Sequence, residues 1–227
     1  MKFIACFLLT LGCGCYAHAQ TWSLSAGGGS TSYKQINKDL NTTEITKARG
    51  WNTEIGLRYQ TKGRWSYSAA LNSGEYKTSR WDEVNAVICL ADGYTGGVYA
   101  KTTVQTYSLR FSTDYEVLRP SKSKNGLLGK LKFTVGGSMA PSIYRQKERM
   151  IFEGNHGNAE WSKPKTSASF TMLVGIQEQL SYTLNARWSV NLSSITQFDP
   201  GRAFTKASSF KPDFRASLLL GSSFSIP

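Results

Sequence analysis

The chain has 227 residues with 27 Lys and Arg against 15 Asp and Glu, a formal net charge of +12, 21 Gly and 6 Pro. That length allows one domain, and no stretch approaches the roughly 20 consecutive apolar residues of a membrane-spanning helix. So basic a chain would ordinarily point to nucleic acid, a partner that the first residues exclude by sending the chain out of the cytoplasm.

Those residues read MKFIACFLLTLGCGCYAHAQ. Lys2 gives a short basic start, Phe3 to Leu11 an apolar stretch, and Ala17-His18-Ala19 a small-residue cleavage pattern, so residues 1–19 are expected to be a secretory signal peptide. Lipidation at Cys13 is disfavoured because Thr10 stands where such sites carry an aliphatic residue. Cleavage takes away Cys6, Cys13 and Cys15 and leaves Cys89, so no disulfide is expected within the mature chain. No Pro/Ser-rich linker divides residues 20–227, which read as one domain.

Eight segments then alternate apolar with polar residues at a period of two, the signature of strands with two unlike faces. WSLSAGGGSTSY (22–33) is the weakest. WNTEIGLRY (51–59) places Trp51, Thr53, Ile55, Leu57 and Tyr59 on one face, and WSYSAALNS (65–73) places Trp65, Tyr67, Ala69 and Leu71 there. VQTYSLRFSTDYEV (104–117) sets Tyr107, Leu109, Phe111, Tyr115 and Val117 against Arg110, Asp114 and Glu116. LKFTVGGSMAPSIY (131–144) contains Pro141, which would interrupt a ladder and predicts a bulged or loose strand there. SASFTMLVGIQEQL (167–180), LNARWSVNL (184–192) and FRASLLLGSSFSI (214–226) complete the set. The connections alternate: tight turns at 60–64 and around Ser181 to Thr183 and a moderate one at 118–130, against long polar loops at 34–49, 77–103, 145–166 and 198–212.

Short turns on one side and long loops on the other fit an eight-stranded antiparallel up-and-down transmembrane barrel, apolar outside and polar within. A soluble lipocalin-like barrel would invert the faces. It leaves unexplained the aromatic residues at strand ends: Trp51 and Tyr107 at the outer ends, and Tyr59, Trp65, Tyr67, Tyr115, Phe133 and Phe224 at the inner ends. Such rings prefer the boundary between hydrocarbon and water. Charge placement agrees: Glu54, Arg58, Arg110, Asp114, Glu116, Lys132, Arg187 and Arg215 share the polar parity of their strands and are expected to form an interior network. Depth places Asp114 and Glu116 near Lys132. Glu178 is the exception, on the apolar parity of the sixth strand, and is expected near the inner end, where the penalty falls to about 0 to 1 kcal/mol. An eight-stranded lumen is only wide enough for side chains, so Gly136, Ser138, Gly175, Ser193, Gly221 and Ser223 would make room for the long ones. The expected interior is a plug of ion pairs rather than a channel.

The last residues, LLGSSFSIP (219–227), resemble the terminal signal read by the outer-membrane assembly machinery: Gly221, two spacers, then Phe224, a spacer and Ile226. Leu219 stands where that signal is usually polar, and Pro227 where many members end on an aromatic. With the leader and the eight strands, the mature chain resembles the small outer-membrane β-barrel proteins of the OmpA/OmpX/porin-like group. The resemblance implies insertion in the outer membrane of a Gram-negative cell and implies no activity.

Function is read as structural or binding at the cell surface. Basic residues gather in the outer loops, and Lys34, Lys38, Arg145, Lys147, Arg149, Lys163 and Lys165 are expected to contact anionic lipopolysaccharide. Lys47, Arg49, Arg202, Lys206 and Lys211 add to that charge, and Arg119, Lys122, Lys124 and Lys130 give the periplasmic turn a basic character. The chain reads as a monomer held in outer-membrane lipid. A small channel or a secretion accessory is the alternative, and a lipid A-modifying enzyme a weaker one, since His156, near Glu153 and Glu160, is the single mature histidine and sits in a loop. No cofactor or metal is expected: no His/Cys/Asp cluster has ligand spacing, and AGGGS (26–30) lacks the lysine of a phosphate loop. The second long loop carries the apolar run Val87 to Ala91 around Cys89, to which the sequence assigns no role.

Overall fold

A computed structural model describes residues 21–38, 43–84, 96–119, 127–153, 163–203 and 214–226. Residues 1–19, Cys89, Lys122, Lys124, His156, Glu160, Lys206 and Lys211 lie outside these. Eight antiparallel strands close into one barrel: β1 (Thr21–Lys38), β2 (Thr43–Gln60), β3 (Trp65–Val84), β4 (Gly96–Leu118), β5 (Leu131–Glu153), β6 (Lys165–Thr183), β7 (Trp188–Phe198) and β8 (Phe214–Ile226). Each strand pairs with its neighbours in sequence, and β1 with β8 closes the ring from Trp22 opposite Ile226 to Lys34 opposite Phe214.

The polarity is inside out. Ile55, Leu71, Ile143, Phe170, Ile176 and Leu220 are among the most exposed large apolar residues, whereas Arg110, Asp114, Glu116 and Arg215 are buried. A soluble barrel would gain nothing from wetting its aliphatic exterior, and a lipid-facing one gains from every such residue. Aromatic pairs fasten neighbouring strands at the periplasmic end: Trp22 with Tyr59 at 4.9 Å, Trp65 with Tyr115 at 5.1 Å, and Trp188 with Phe224 at 5.0 Å between ring centroids.

Three features differ from the sequence expectation. Strands β2 to β5 continue well past their alternating stretches into segments expected as loops. The turn after β6 lies at 184–187 rather than 181–183, because the Asn185 side-chain oxygen accepts the backbone N–H groups of Arg187 and Trp188, both at 2.9 Å, and folds those residues back. At Pro141 the β4–β5 ladder is interrupted as expected, but no bulge forms there. The β4–β5 partners skip Leu109 and Arg110 and resume in the same register, and the shift falls between Glu116 and Leu118.

Close backbone approach explains two of the lumenal glycines. A Cβ on Gly175 would lie 1.9 Å from the carbonyl oxygen of Thr196, and one on Gly29 would lie 1.9 Å from that of Leu218 on the closing strand. Any side chain there would wedge adjacent strands apart.

Candidate functional site

The lumen is built in two storeys. The periplasmic storey holds a connected ionic network. Arg110 donates to a Glu54 carboxylate oxygen at 2.5 Å and to the Gln177 amide oxygen; the Gln177 amide nitrogen donates to Asp114 at 3.3 Å. Arg58 donates to Asp114 at 2.5 Å, to Gln179 at 2.7 Å and to Ser66 at 3.1 Å. Asp114 is wholly buried, so its charge depends on these donors. Lower still, Lys132 sits 3.7 Å from Glu116 and donates to Gln60 at 2.7 Å, while Arg119 lies 3.3 Å from Glu116 and reaches the Gly63 carbonyl in the β2–β3 turn.

Seven of the eight expected interior residues are therefore in the lumen. Arg187 is not: it is exposed in the Asn185 turn, where its sequence parity with Trp188 has no structural meaning. Of the two carboxylates expected near Lys132, Glu116 pairs with it, whereas Asp114 binds Arg58, two strands away on β2. Arg58 can span that distance because β3 carries only Ser66 and Ser68 between them.

In this storey the long polar side chains come from β2, β4, β5 and β6, the last supplying Gln177 and Gln179, whereas β7, β8 and β1 supply Ser23, Ser25, Ser189, Ser193, Ser223 and Ser225. Between the two walls remains a cavity of about 240 Å³, with Thr21, Gln60, Thr183 and Ser225 at its periplasmic end and Arg110 and Leu219 among its deeper lining residues. The lumen is thus not completely filled by ion pairs.

The extracellular storey holds an apolar cluster set among buried Thr31, Thr102, Ser142, Gln197 and Ser217. Tyr33, Tyr76, Tyr144, Val104, Ala140 and Leu173 form one buried cluster, with Tyr33 stacked on Tyr76 at 4.0 Å. Arg215 is buried here with its guanidinium 6.0 Å from the Tyr33 ring centre. The hydroxyls of Tyr33 and Tyr144 are buried without a hydrogen-bond partner among the described residues. At the rim, Asp199 accepts from the Thr171 hydroxyl and from the Gly201 backbone N–H at 2.9 Å. The sequence gives little warning of this storey, because single tyrosines on a polar parity read as ordinary interruptions.

Above the membrane band the outward parity changes character. Lys34 on β1, Lys47 and Arg49 on β2, Lys77 on β3, Lys101 on β4, and Arg145, Lys147 and Arg149 on β5 all continue the faces that carry Trp51, Tyr107 and Ile143 lower down. All but the half-buried Lys34 are exposed. Lys163 and Lys165 are exposed at the start of β6, and the side chain of Lys38 lies outside the described residues. Lys77 and Lys101 are additions to the set expected from sequence; extending the alternation of β3 past Leu71 and Ser73 would have found the first.

The expected assembly residues sit on the closing strand. Gly221 faces the lumen opposite Gly27, while Phe224 and Ile226 face outward. Leu219, unusual on that parity, is buried in the lumen between Ser193 and Gly29.

No family model and no curated protein matches the chain. Among solved structures, a major outer membrane protein from Thermus thermophilus matches with TM-score 0.50 and 12% identity over 92% of this chain and 100% of that one. Neisserial surface protein A matches with TM-score 0.48 and 12% identity, and Ail of Yersinia pestis with 0.44 and 11%, each over 92% of this chain and 100% of the other. By strand count, closure and inside-out polarity, the chain has the fold of an eight-stranded outer-membrane-type β-barrel.

Proposed function

We propose that the protein is an integral outer-membrane barrel that acts at the cell surface by binding, through a basic collar on strands β1 to β5, the phosphorylated head groups of lipopolysaccharide. The observation that supports this is parity. Eight cations occupy outward-facing positions just above the upper aromatic level, where the head groups of an outer leaflet would lie, and Glu75, 3.6 Å from Lys77, is the one carboxylate on that surface among the residues whose side chains are described. A single surface pair gains little, but a patch of one sign next to a polyanionic leaflet gains from the summed field. The test is charge reversal of Arg145, Lys147 and Arg149 to Glu together, with phosphate-containing glycolipid quantified in the purified protein. Retention should fall several-fold; unchanged retention would refute the collar.

In this reading the barrel body is a closed scaffold without catalytic activity, and Gly221, Phe224 and Ile226 present β8 to the assembly machinery. A channel is the second reading, favoured by the cavity on the periplasmic side. The tyrosine storey above it argues for a closed lumen, and single-channel recording on the purified protein should give no stable conductance.

A further inference from the structure

Between the aromatic levels the described outward wall has one ionisable carboxylate. Glu178 on β6 is exposed, four residues above Tyr182, and its neighbours Gln177 and Gln179 point into the lumen. No hydrogen bond or ion pair engages it among the described residues. Its position two turns of the pleat above the aromatic level puts it inside the apolar band rather than at the inner end as expected from the sequence, and there an unpartnered carboxylate is costly.

The surroundings are polar on one side only. Glu178 lies opposite Ser194 on β7 and Val135 on β5, and one position higher Thr196 and Gly137 flank Ile176. Gly137 is exposed, with nothing within 4 Å of where a Cβ would be, so it leaves a shallow notch beside the carboxylate. Acceptor and hydroxyl donors therefore stand side by side across the β6–β7 pair.

We infer that this wall is the contact surface for a second copy of the same chain. A twofold axis along the membrane normal, passing between Glu178 and Ser194, exchanges left for right, so the carboxylate of each copy meets the serine hydroxyl of the other. That is the condition for a self-complementary interface, in which residue i meets j and j meets i. No outward lysine or arginine lies at this height on the described surface, so the chain itself supplies hydroxyl donors rather than cations. Small residues and interchain polar contacts are also what packs membrane segments closely, because lipid removes the hydrophobic drive for association. The interface leaves the basic collar free and does not depend on what that collar binds.

The test uses the exported protein with Cys89→Ser, reconstituted in bilayers. Two single variants, Glu178→Cys and Ser194→Cys, are mixed and oxidised with a lipid-soluble catalyst, so that a disulfide between the two can form only between copies. Leu57→Cys mixed with Leu71→Cys, on the β2–β3 wall, is the control. The inference requires a crosslinked band from the first mixture well above that of either variant alone and above the control, together with a dimer mass for the unmodified chain in lipid discs. Glu178→Leu should lower the dimer fraction roughly three- to tenfold, the range expected of a few polar contacts between membrane segments, and Glu178→Gln, which still accepts from serine, should keep most of it. Equal crosslinking on both walls, or a monomer mass in lipid discs, would overturn it.

Discussion

The two storeys of the lumen meet the same constraint with different chemistry. Below, an enclosed space that had to accept charge is crossed by a chain of donors and acceptors from Glu54 through Arg110, Gln177 and Asp114 to Arg58, with Glu54 Oε2 and Arg110 Nε left without partners among the described residues. Above, aromatic and aliphatic side chains cluster among small hydroxyls, Gln197 and Arg215, and two tyrosine hydroxyls go without partners among the described residues. The contrast separates two kinds of stability. In the ionic storey the loss of one member strands a charge, whereas in the aromatic storey shape matters more than any single polar atom.

That contrast can be broken most sharply at Asp114. Replacing it with Ala leaves the part-buried Arg58 and the buried Gln177 amide without their carboxylate and should destabilise the barrel by about 3 to 5 kcal/mol, measured by denaturant unfolding in bilayers followed by the shift between folded and unfolded gel migration. A smaller effect is expected where neither storey is involved but the wall itself is tight. Gly29→Ala at the closing seam should cost about 1 to 3 kcal/mol by the same assay, because its Cβ must displace the Leu218 carbonyl. The smallest is expected at Tyr144→Phe, which removes a buried hydroxyl that has no partner among the described residues and should change stability by about 0.5 kcal/mol or less, in either direction. If Tyr144→Phe cost as much as Asp114→Ala, the upper storey would have to be a polar network as well, and the distinction would fail.

The membrane-spanning part is legible in the sequence because lipid and lumen impose opposite demands on successive residues. Leu109 and Arg110 could not exchange faces without turning a guanidinium to hydrocarbon, so the alternation over 104–117 reports the faces directly. Where both faces meet water the pattern fades, which is why the upper parts of β2 to β5 read as loops although they are strand. Alternation alone also misleads: Leu184, Ala186 and Trp188 keep the period of two across a turn set by the Asn185 side chain, and that parity wrongly points Arg187 into the lumen. Of the site, the charged residues are readable and their partners mostly are not. Arg58 and Asp114 meet across the lumen through a strand that carries serines, and which long side chain crosses to which depends on barrel closure and shear rather than on neighbouring positions.

The account rests on lipid touching the aliphatic wall while the charges are enclosed. Spin labels placed singly at Leu109, Val190 and Ser112 in the Cys89→Ser protein, reconstituted in bilayers, test this through their relaxation by oxygen and by a water-soluble nickel complex. Labels at 109 and 190 should be relaxed by oxygen and shielded from nickel, with the label at 112 shielded from the oxygen-rich hydrocarbon. Nickel-accessible, aqueous surroundings at 109 and 190 would contradict it.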